Sequence, residues 1–174
     1  MFQRDMRRIL RREARPMRKK RSFGSQRGNA VIEFALAAMT LTYSFTAVFQ
    51  LGYSMYLYDE LVGAARAGAR YASLAKLSNS GDNSMPTAYT TAIKNMVVYG
   101  NTSPAVGDQP VVPGLSTANV SMSMTWDSGG VPSYCTVSIS SYTIDAVFKT
   151  FTLTGKPSFK VPYFGQYCSS GTSC

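Results

Sequence analysis

Catalytic chemistry would have to proceed without histidine here, because the 174 residues contain none. Serine and cysteine nucleophiles therefore lack the imidazole base of the usual catalytic triads. The three cysteines show no Cys-x-x-Cys spacing, so they do not predict a zinc site. The acidic residues are scattered over turns and helix ends, and no glycine-rich phosphate loop is present. We expect no enzyme, no cofactor and no bound metal.

One carboxylate stands in an unusual place. Glu33 lies at the start of a long apolar segment, and no residue from Phe34 to Tyr58 carries a charge. A carboxylate at the centre of a bilayer costs about 2.5–3.5 kcal/mol on insertion scales. An acid inside an apolar run is therefore by default a functional residue that needs a partner. Glu33 requires a cation.

The uncharged segment is long enough to cross a membrane. At ~1.5 Å per residue, residues 34–58 would extend roughly 37 Å as a helix, against a hydrocarbon core of ~30 Å. Tyr53, Tyr56 and Tyr58 near its end fit an interfacial belt of aromatic residues. We predict one transmembrane helix at residues 29–58, with the lipid bilayer as its partner.

The positive charge of the chain is concentrated before this segment. Residues 1–28 carry eleven of the eighteen Lys and Arg residues and two of the nine acids, so the net +9 lies entirely there. An RNA-binding arm or a patch on anionic lipid would also be basic. The block lacks the interleaved aromatics of a single-strand binder and abuts the apolar segment directly. We therefore expect no nucleic acid, and the positive-inside rule places residues 1–28 in the cytoplasm and the rest outside.

The junction between the two segments resembles a known processing site. Residues 28–36 read GNAVIEFAL, with Gly28 after a basic leader and Glu33 followed by the aromatic Phe34. This pattern resembles the processing site of type IV pilin-like proteins, most closely the TadE-type proteins of the tight-adherence (Tad/Flp) pilus. A second point of resemblance is the Ala/Gly/Arg-rich sequence AARAGARYA at residues 64–72.

The resemblance implies a precursor that a membrane-embedded prepilin peptidase cuts between Gly28 and Asn29. Asn29 would then be the new amino terminus, and its ammonium would supply the cation that Glu33 requires during assembly. The implied location is the bacterial inner membrane, with possible incorporation into a surface pilus and a role in adhesion. The implied partners are the peptidase, other pilin-like subunits and the pilus assembly machinery.

Two other classes use similar features. A pseudopilin of a type II secretion system shares the processing motif, and a single-pass anchored binding module that is never processed would use the same span and head. The Ala/Gly/Arg-rich helix favours the Tad system over the first, and Gly28 with Glu33 disfavours the second. The sequence leaves open whether the subunit is a filament component, a tip initiator or an assembly factor.

Residues beyond the span predict an α+β fold. The helix should continue without a break over residues 59–78, because this stretch lacks proline and is rich in alanine. Its small side chains form a narrow face, namely Leu61, Ala64, Ala65, Gly68 and Ala72, and Asp59, Gly63, Arg66 and Arg70 share another face.

An extracytoplasmic head should occupy residues 79–174. Ser84 as N-cap and Gly100 after the end predict a helix of about Met85–Tyr99, with a stripe of Tyr89, Ile93, Met96 and Val97 facing the sheet. A loop should follow over residues 101–118.

Strand alternation then starts at Val120 and returns after Asp127-Ser128-Gly129-Gly130, which predicts a hairpin. The phase flips near Ser140-Ser141, where we expect a bulge or a strand end. One or two further strands around Gly155 should complete a small antiparallel sheet covered by helices.

Cysteine pairing is left open by spacing. Cys168 and Cys174 flank a short flexible loop that could close as a disulfide in an oxidising compartment, whereas Cys135 lies in phase with the apolar face of its strand. We favour Cys168–Cys174 with Cys135 unpaired. Pairs of Cys135 with Cys168 or with Cys174 remain possible.

Overall fold

The protein is described here by a computed structural model, which covers residues 24–78, 83–146 and 149–168, with side chains in the first helix from residue 28 onward. The chain divides into two compact units, residues 1–46 and 47–174. Most of the basic leader expected at residues 1–28 lies outside the described residues.

Helix α1 runs from Gly24 to Leu74. It contains no proline, and alanine supports its second half, so nothing interrupts the backbone hydrogen bonds. The stretch of residues 28–74 is long and apolar enough to cross a membrane. The prediction that the helix continues beyond the apolar segment is confirmed, but its predicted end at residue 78 was wrong, because the helix ends at Leu74 and residues Leu77–Ser78 form a short strand.

Helix α2 spans Thr87–Tyr99 and ends at Gly100, which takes a left-handed conformation and donates its N–H to the Met96 carbonyl. The predicted start was wrong. Pro86 rather than Ser84 holds the N-cap position, with extended backbone angles, because a residue that precedes proline is disfavoured in the helical region and so Met85 cannot open the helix.

The apolar stripe of α2 is buried at Tyr89, Ile93 and Val97, while Met96 is half-buried. The stripe also packs against α1, which its spacing alone did not indicate. Neighbours of Gly68 on α1 are the Val97 side chain and the Ile93 carbonyl.

Within the described residues, the strands make three small sheets. Strand β1 (Leu77–Ser78) pairs in parallel with β7 (Tyr167–Cys168); β2 (Val120–Trp126), β3 (Pro132–Ile139) and β6 (Ser158–Pro162) form an antiparallel sheet in the order β2-β3-β6; β4 (Tyr142–Asp145) pairs antiparallel with β5 (Thr150–Leu153). A short 3-10 helix, Thr117–Asn119, precedes β2. The predicted α+β fold with a small head is confirmed, although its strands do not form a single sheet.

The β2–β3 hairpin forms where the sequence predicted it. Met122 pairs with Val137, and Oδ1 of Asp127 accepts hydrogen bonds from the N–H groups of Gly129 and Val131 at 2.9 Å each. The phase flip at residue 140 is a strand end. Ser141 has a φ of 58°, and the chain leaves β3 there to enter the separate β4–β5 hairpin.

One core joins the end of α1, α2 and the strands. Its fully buried members with the largest side chains are Leu61, Leu77, Ile93, Val97, Val98, Val112, Val120, Cys135, Val137 and Ile139. Val112 comes from the proline-containing loop, which we expected to be only a connection.

Candidate functional site

The predicted cleavage and assembly residues all lie in helix α1. Gly28, Asn29, Glu33 and Phe34 fall within its bounds, and a Cβ added at Gly28 would meet nothing within 4 Å. Asn29 and Glu33 are four residues apart, which places them on one face of the helix, with Cβ atoms about 5–6 Å apart. The structure thus brings together the residue that would carry a new amino terminus and the carboxylate that needs a cation.

Glu33 is exposed along with its neighbours. Phe34 is 74% exposed, and Val31 and Ile32 are also open to the surroundings. Glu33 makes no ion pair with any side chain in the described part of the chain. An exposed carboxylate among exposed apolar side chains is suited to an environment that supplies both an apolar medium and a cation from outside this helix.

Hydroxyl groups in the apolar stretch are satisfied by the helix itself. Thr40, Thr42, Ser44 and Thr46 each donate to the carbonyl oxygen four residues earlier, at 2.8–2.9 Å. Groups that enter a bilayer must find their hydrogen-bond partners without water. The four hydroxyls therefore add little to the cost of placing this segment in lipid.

The second half of α1 carries a packing face of small side chains. Leu61, Ala64, Ala65, Gly68 and Ala72 are all buried, as the sequence predicted. At Gly68 an added Cβ would clash with Cγ2 of Val97, so the absence of a side chain there lets α2 approach the backbone of α1. The hydroxyl of Tyr89 on α2 donates to the Ala72 carbonyl at 2.5 Å.

The opposite face of this part of α1 carries two arginines. Arg66 and Arg70 are both exposed, and the guanidinium carbon of Arg66 lies 5.2 Å from the centroid of the Phe159 ring. Both side chains line an open groove of about 320 Å³, whose other walls include Val161 and Phe164 of the head. The arginines thus border an apolar surface.

A comparison with protein families decides how this helix is classified. Residues 28–70 match the family model described as TadE-like protein. The matched segment begins at Gly28, includes Glu33, and ends at Arg70, so it contains the first point of resemblance found in the sequence and residues 64–70 of the second. It covers well under half of the chain. No curated protein and no solved structure gives a significant match.

The resemblance to TadE-type proteins is therefore confirmed for residues 28–70. A TadE-like segment fits a pilin-like component of a Tad pilus that associates with other pilus subunits, and the family is one of structural components rather than enzymes. The long apolar helix fits a single-pass membrane anchor. Within the described residues no group of three His, Cys, Asp or Glu side chains could hold a metal ion.

The cysteines differ in their chemical state. Cys135 is a free, fully buried thiol, and burial raises its pKa to about 11. This excludes both pairings of Cys135 that the sequence had left open. Cys168 is disulfide-bonded. Cys174 lies outside the described residues, so the Cys168–Cys174 pairing stays a prediction.

Sequence reasoning missed how far the head extends along α1. The amide of Gln50 donates to the Asp145 carbonyl in β4 at 3.2 Å, although Gln50 lies inside the segment expected to span the membrane. A polar Gln in an otherwise apolar run was the available signal. The sequence also gave no sign of the β1–β7 pair, because two-residue strands have no periodicity to detect.

Proposed function

We propose that this protein is a pilin-like subunit of a Tad-type pilus, made as a precursor and held in the bacterial inner membrane by helix α1. The observation that carries the proposal is Glu33, the only acidic or basic residue between Gly28 and Tyr58, exposed on the helix at the start of the TadE-like segment. A simple membrane anchor has no need for a carboxylate at this position. An assembling subunit can use it as a pairing site.

The domain organisation follows from the charge pattern. Residues 1–28 form a basic cytoplasmic leader and the apolar part of α1 crosses the membrane, followed by the rest of α1 up to Leu74 and strand β1. The head, residues 79–174, is extracytoplasmic. This orientation rests on the basic residues before the span, which stay on the cytoplasmic side.

A prepilin peptidase cuts the chain after Gly28, and the cut changes the surroundings of Glu33. In the precursor, α1 begins before Gly28, so Glu33 is an interior helical residue. After the cut, the helix begins at Asn29 and Glu33 is the fifth residue. The positive end of the helix dipole and the new ammonium then both lie about one turn from the carboxylate. Processing thus turns a costly acid into one that can be paired.

The mature subunit associates with other pilin-like subunits and the assembly machinery. Glu33 provides the charged contact, either to its own amino terminus or to that of an adjacent subunit, and Phe34 provides an adjacent exposed apolar one. The head remains outside and takes part in pilus biogenesis and adhesion. Its size favours a minor subunit over a shaft subunit, because a shaft of this class needs little beyond the helix.

Coexpression with a prepilin peptidase tests the proposal. The mature protein should start at Asn29, and Gly28→Leu should remain at full length because a bulky side chain does not fit the cleavage site. Gly52→Ala is the matched control, since Gly52 lies in the same helix and an added Cβ there also meets nothing within 4 Å. N-terminal sequencing of the membrane fraction gives the answer.

Recovery of the wild-type chain with Met1 intact would contradict the proposal and favour an unprocessed binding module. Correct cleavage followed by copurification with a type II secretion apparatus, and not with Tad components, would identify a pseudopilin instead.

A further inference from the structure

Helix α1 contacts the β4–β5 hairpin at Gln50, inside the segment that was expected to span the membrane. Besides the hydrogen bond from Gln50 to the Asp145 carbonyl, Tyr53 of α1 contributes to the electrostatic environment of Tyr142 at the other end of β4. The pKa of Tyr142 is raised, mainly by burial and further by Tyr53 and Asp145. Both helix residues precede Tyr58, where the apolar segment was expected to leave the membrane.

The hydrogen bond fixes the level of one end of the hairpin. Asp145 is the last residue of β4 and pairs with Thr150, the first residue of β5, so this end of the two strands lies beside Gln50. Gln50 lies on the side of Tyr58 from which α1 would enter the membrane.

The hairpin end is too polar for hydrocarbon. Asp145, Lys149 and Thr150 are exposed, and a charged side chain at the centre of a bilayer costs about 2.5–3.5 kcal/mol. A span that continued to Tyr58 would carry these groups with it. If it ends just before Gln50, residues 29–49 still provide about 32 Å of helix at ~1.5 Å per residue, which suffices for a ~30 Å core.

The same end of the hairpin has the composition of a membrane-surface contact. The ammonium of Lys149 lies 5.9 Å from the centroid of the Phe151 ring, and that ring is 50% exposed. Lys149 has no carboxylate partner within the described residues. Aromatic rings and lysines with apolar stems are enriched where hydrocarbon meets headgroups, and an unpaired ammonium complements lipid phosphate.

We propose that the β4–β5 hairpin rests on the extracytoplasmic surface of the inner membrane, with Phe151 at headgroup level and Lys149 on lipid phosphate. The membrane-spanning part of α1 then ends just before Gln50. This inference rests on the membrane anchor proposed above. It does not depend on processing or on pilus assembly.

Tryptophan quenching in vesicles tests the inference with the full chain. The protein has one tryptophan, Trp126, which lies 6.2 Å from the Tyr167 ring, and Tyr167 pairs with Leu77 beyond the end of α1. Since Gln50 and Leu74 are separated by roughly 36 Å of helix at ~1.5 Å per residue, Trp126 is a reference far from the hairpin. The probe is Phe151→Trp in a Trp126→Phe background, in vesicles with lipids brominated near the headgroup.

We expect the indole introduced at position 151 to be quenched several-fold more than Trp126 of the wild type. A second probe, Phe45→Trp with Trp126→Phe, should be quenched by lipids brominated deep in the acyl chains. Quenching at position 45 without quenching at position 151 would overturn the hairpin inference and leave the anchor intact. No quenching at either position would overturn both.

The role of Lys149 is tested in the same vesicles. In the background of the position-151 probe, Lys149→Gln should reduce headgroup quenching in vesicles with anionic lipid. Lys160→Gln should not, although Lys160 makes a similar contact, 4.5 Å from the Tyr134 ring centroid. Equal effects of the two substitutions, or none of either, would remove Lys149 from the proposed contact.

Discussion

Glu33 is the residue on which the proposed assembly step depends most directly. Its carboxylate is isolated on an apolar helix, so its partner has to come from the new amino terminus or from another subunit. The sequence located this residue because a single acid in an uncharged run is a strong local signal. Its partner was not visible in the same way, because the cation does not exist until the chain is cut.

Replacing Glu33 with Gln should separate insertion from assembly. The variant keeps the shape of the side chain and loses its charge, so it should insert at least as well as the wild type and still be cut after Gly28. It should lose most of its association with other pilin-like subunits, measured by crosslinking and copurification from membranes.

Asp59→Asn is the matched control for this test, because it removes an exposed carboxylate from the extension of the same helix. Normal association of Glu33→Gln would show Glu33 to be incidental to assembly.

Cys135 gives a prediction about pH. Burial raises its pKa from an ordinary 9.0 to about 11, so the folded state favours the neutral thiol more than the unfolded state does. Between pH 9 and 11 the unfolded chain releases this proton and the folded chain keeps it, so the contribution of Cys135 to stability is constant below pH 9 and is lost as the pH rises to 11.

The free energy of unfolding should therefore fall more steeply over this pH range in the wild type than in Cys135→Ala. Unfolding by denaturant at several pH values measures the difference, and comparison of the two proteins cancels the contributions of the tyrosines other than Tyr89, whose pKa is raised further by Cys135. Parallel pH profiles would be incompatible with a thiol that remains buried and neutral.

At the scale of elements, the contact between α1 and α2 rests on Gly68. In an open helix position Gly→Ala stabilises by roughly 0.5–1 kcal/mol, and Gly63, which has nothing within 4 Å of an added Cβ, should behave in this way. Gly68→Ala should instead destabilise by about 1–3 kcal/mol, the usual range for an overpacked core.

Thermal or denaturant unfolding of both variants measures the contrast. Val97→Ala in the Gly68→Ala background should recover part of the lost stability, because the Val97 side chain is what a Cβ at position 68 would clash with. If Gly68→Ala changed the free energy of unfolding in the same way as Gly63→Ala, this would contradict a close approach of α1 and α2 at Gly68.

Most elements of α1 and of the head could be predicted because their signals are local. The buried small face of α1, the β2–β3 hairpin and the end of α2 at Gly100 each follow from spacing or from one turn residue. The split into separate sheets could not be predicted, since the pairing of β3 with β6 passes over the intervening β4–β5 hairpin and depends on contacts distant in sequence. The burial of Val112 could not be predicted either, because a loop residue has no periodicity that would indicate its partner.

For the whole molecule, the disulfide reports on the compartment of the head. Cys168 is disulfide-bonded, and such bonds persist outside the reducing cytosol. Peptide mapping of membrane-inserted protein under non-reducing conditions should link Cys168 to Cys174 and leave Cys135 as a thiol. Alkylation of both Cys168 and Cys174 in intact cells would contradict an extracytoplasmic head.

A control with the secretion pathway blocked sharpens this test. The retained precursor should then have all three thiols reduced, since the head would stay in the cytosol. A disulfide that formed equally under both conditions would carry no information on orientation.

The hydrogen bond between Gln50 and β4 predicts different tolerance to substitution at its two ends. Its acceptor at residue 145 is a main-chain carbonyl, which every amino acid provides, whereas its donor is the side-chain amide of Gln50. Mutational scanning should therefore find position 145 permissive for this contact and position 50 restrictive, with asparagine too short and leucine unable to donate. A library screened for a head that stays docked on its helix would vary at position 145 and keep glutamine at position 50.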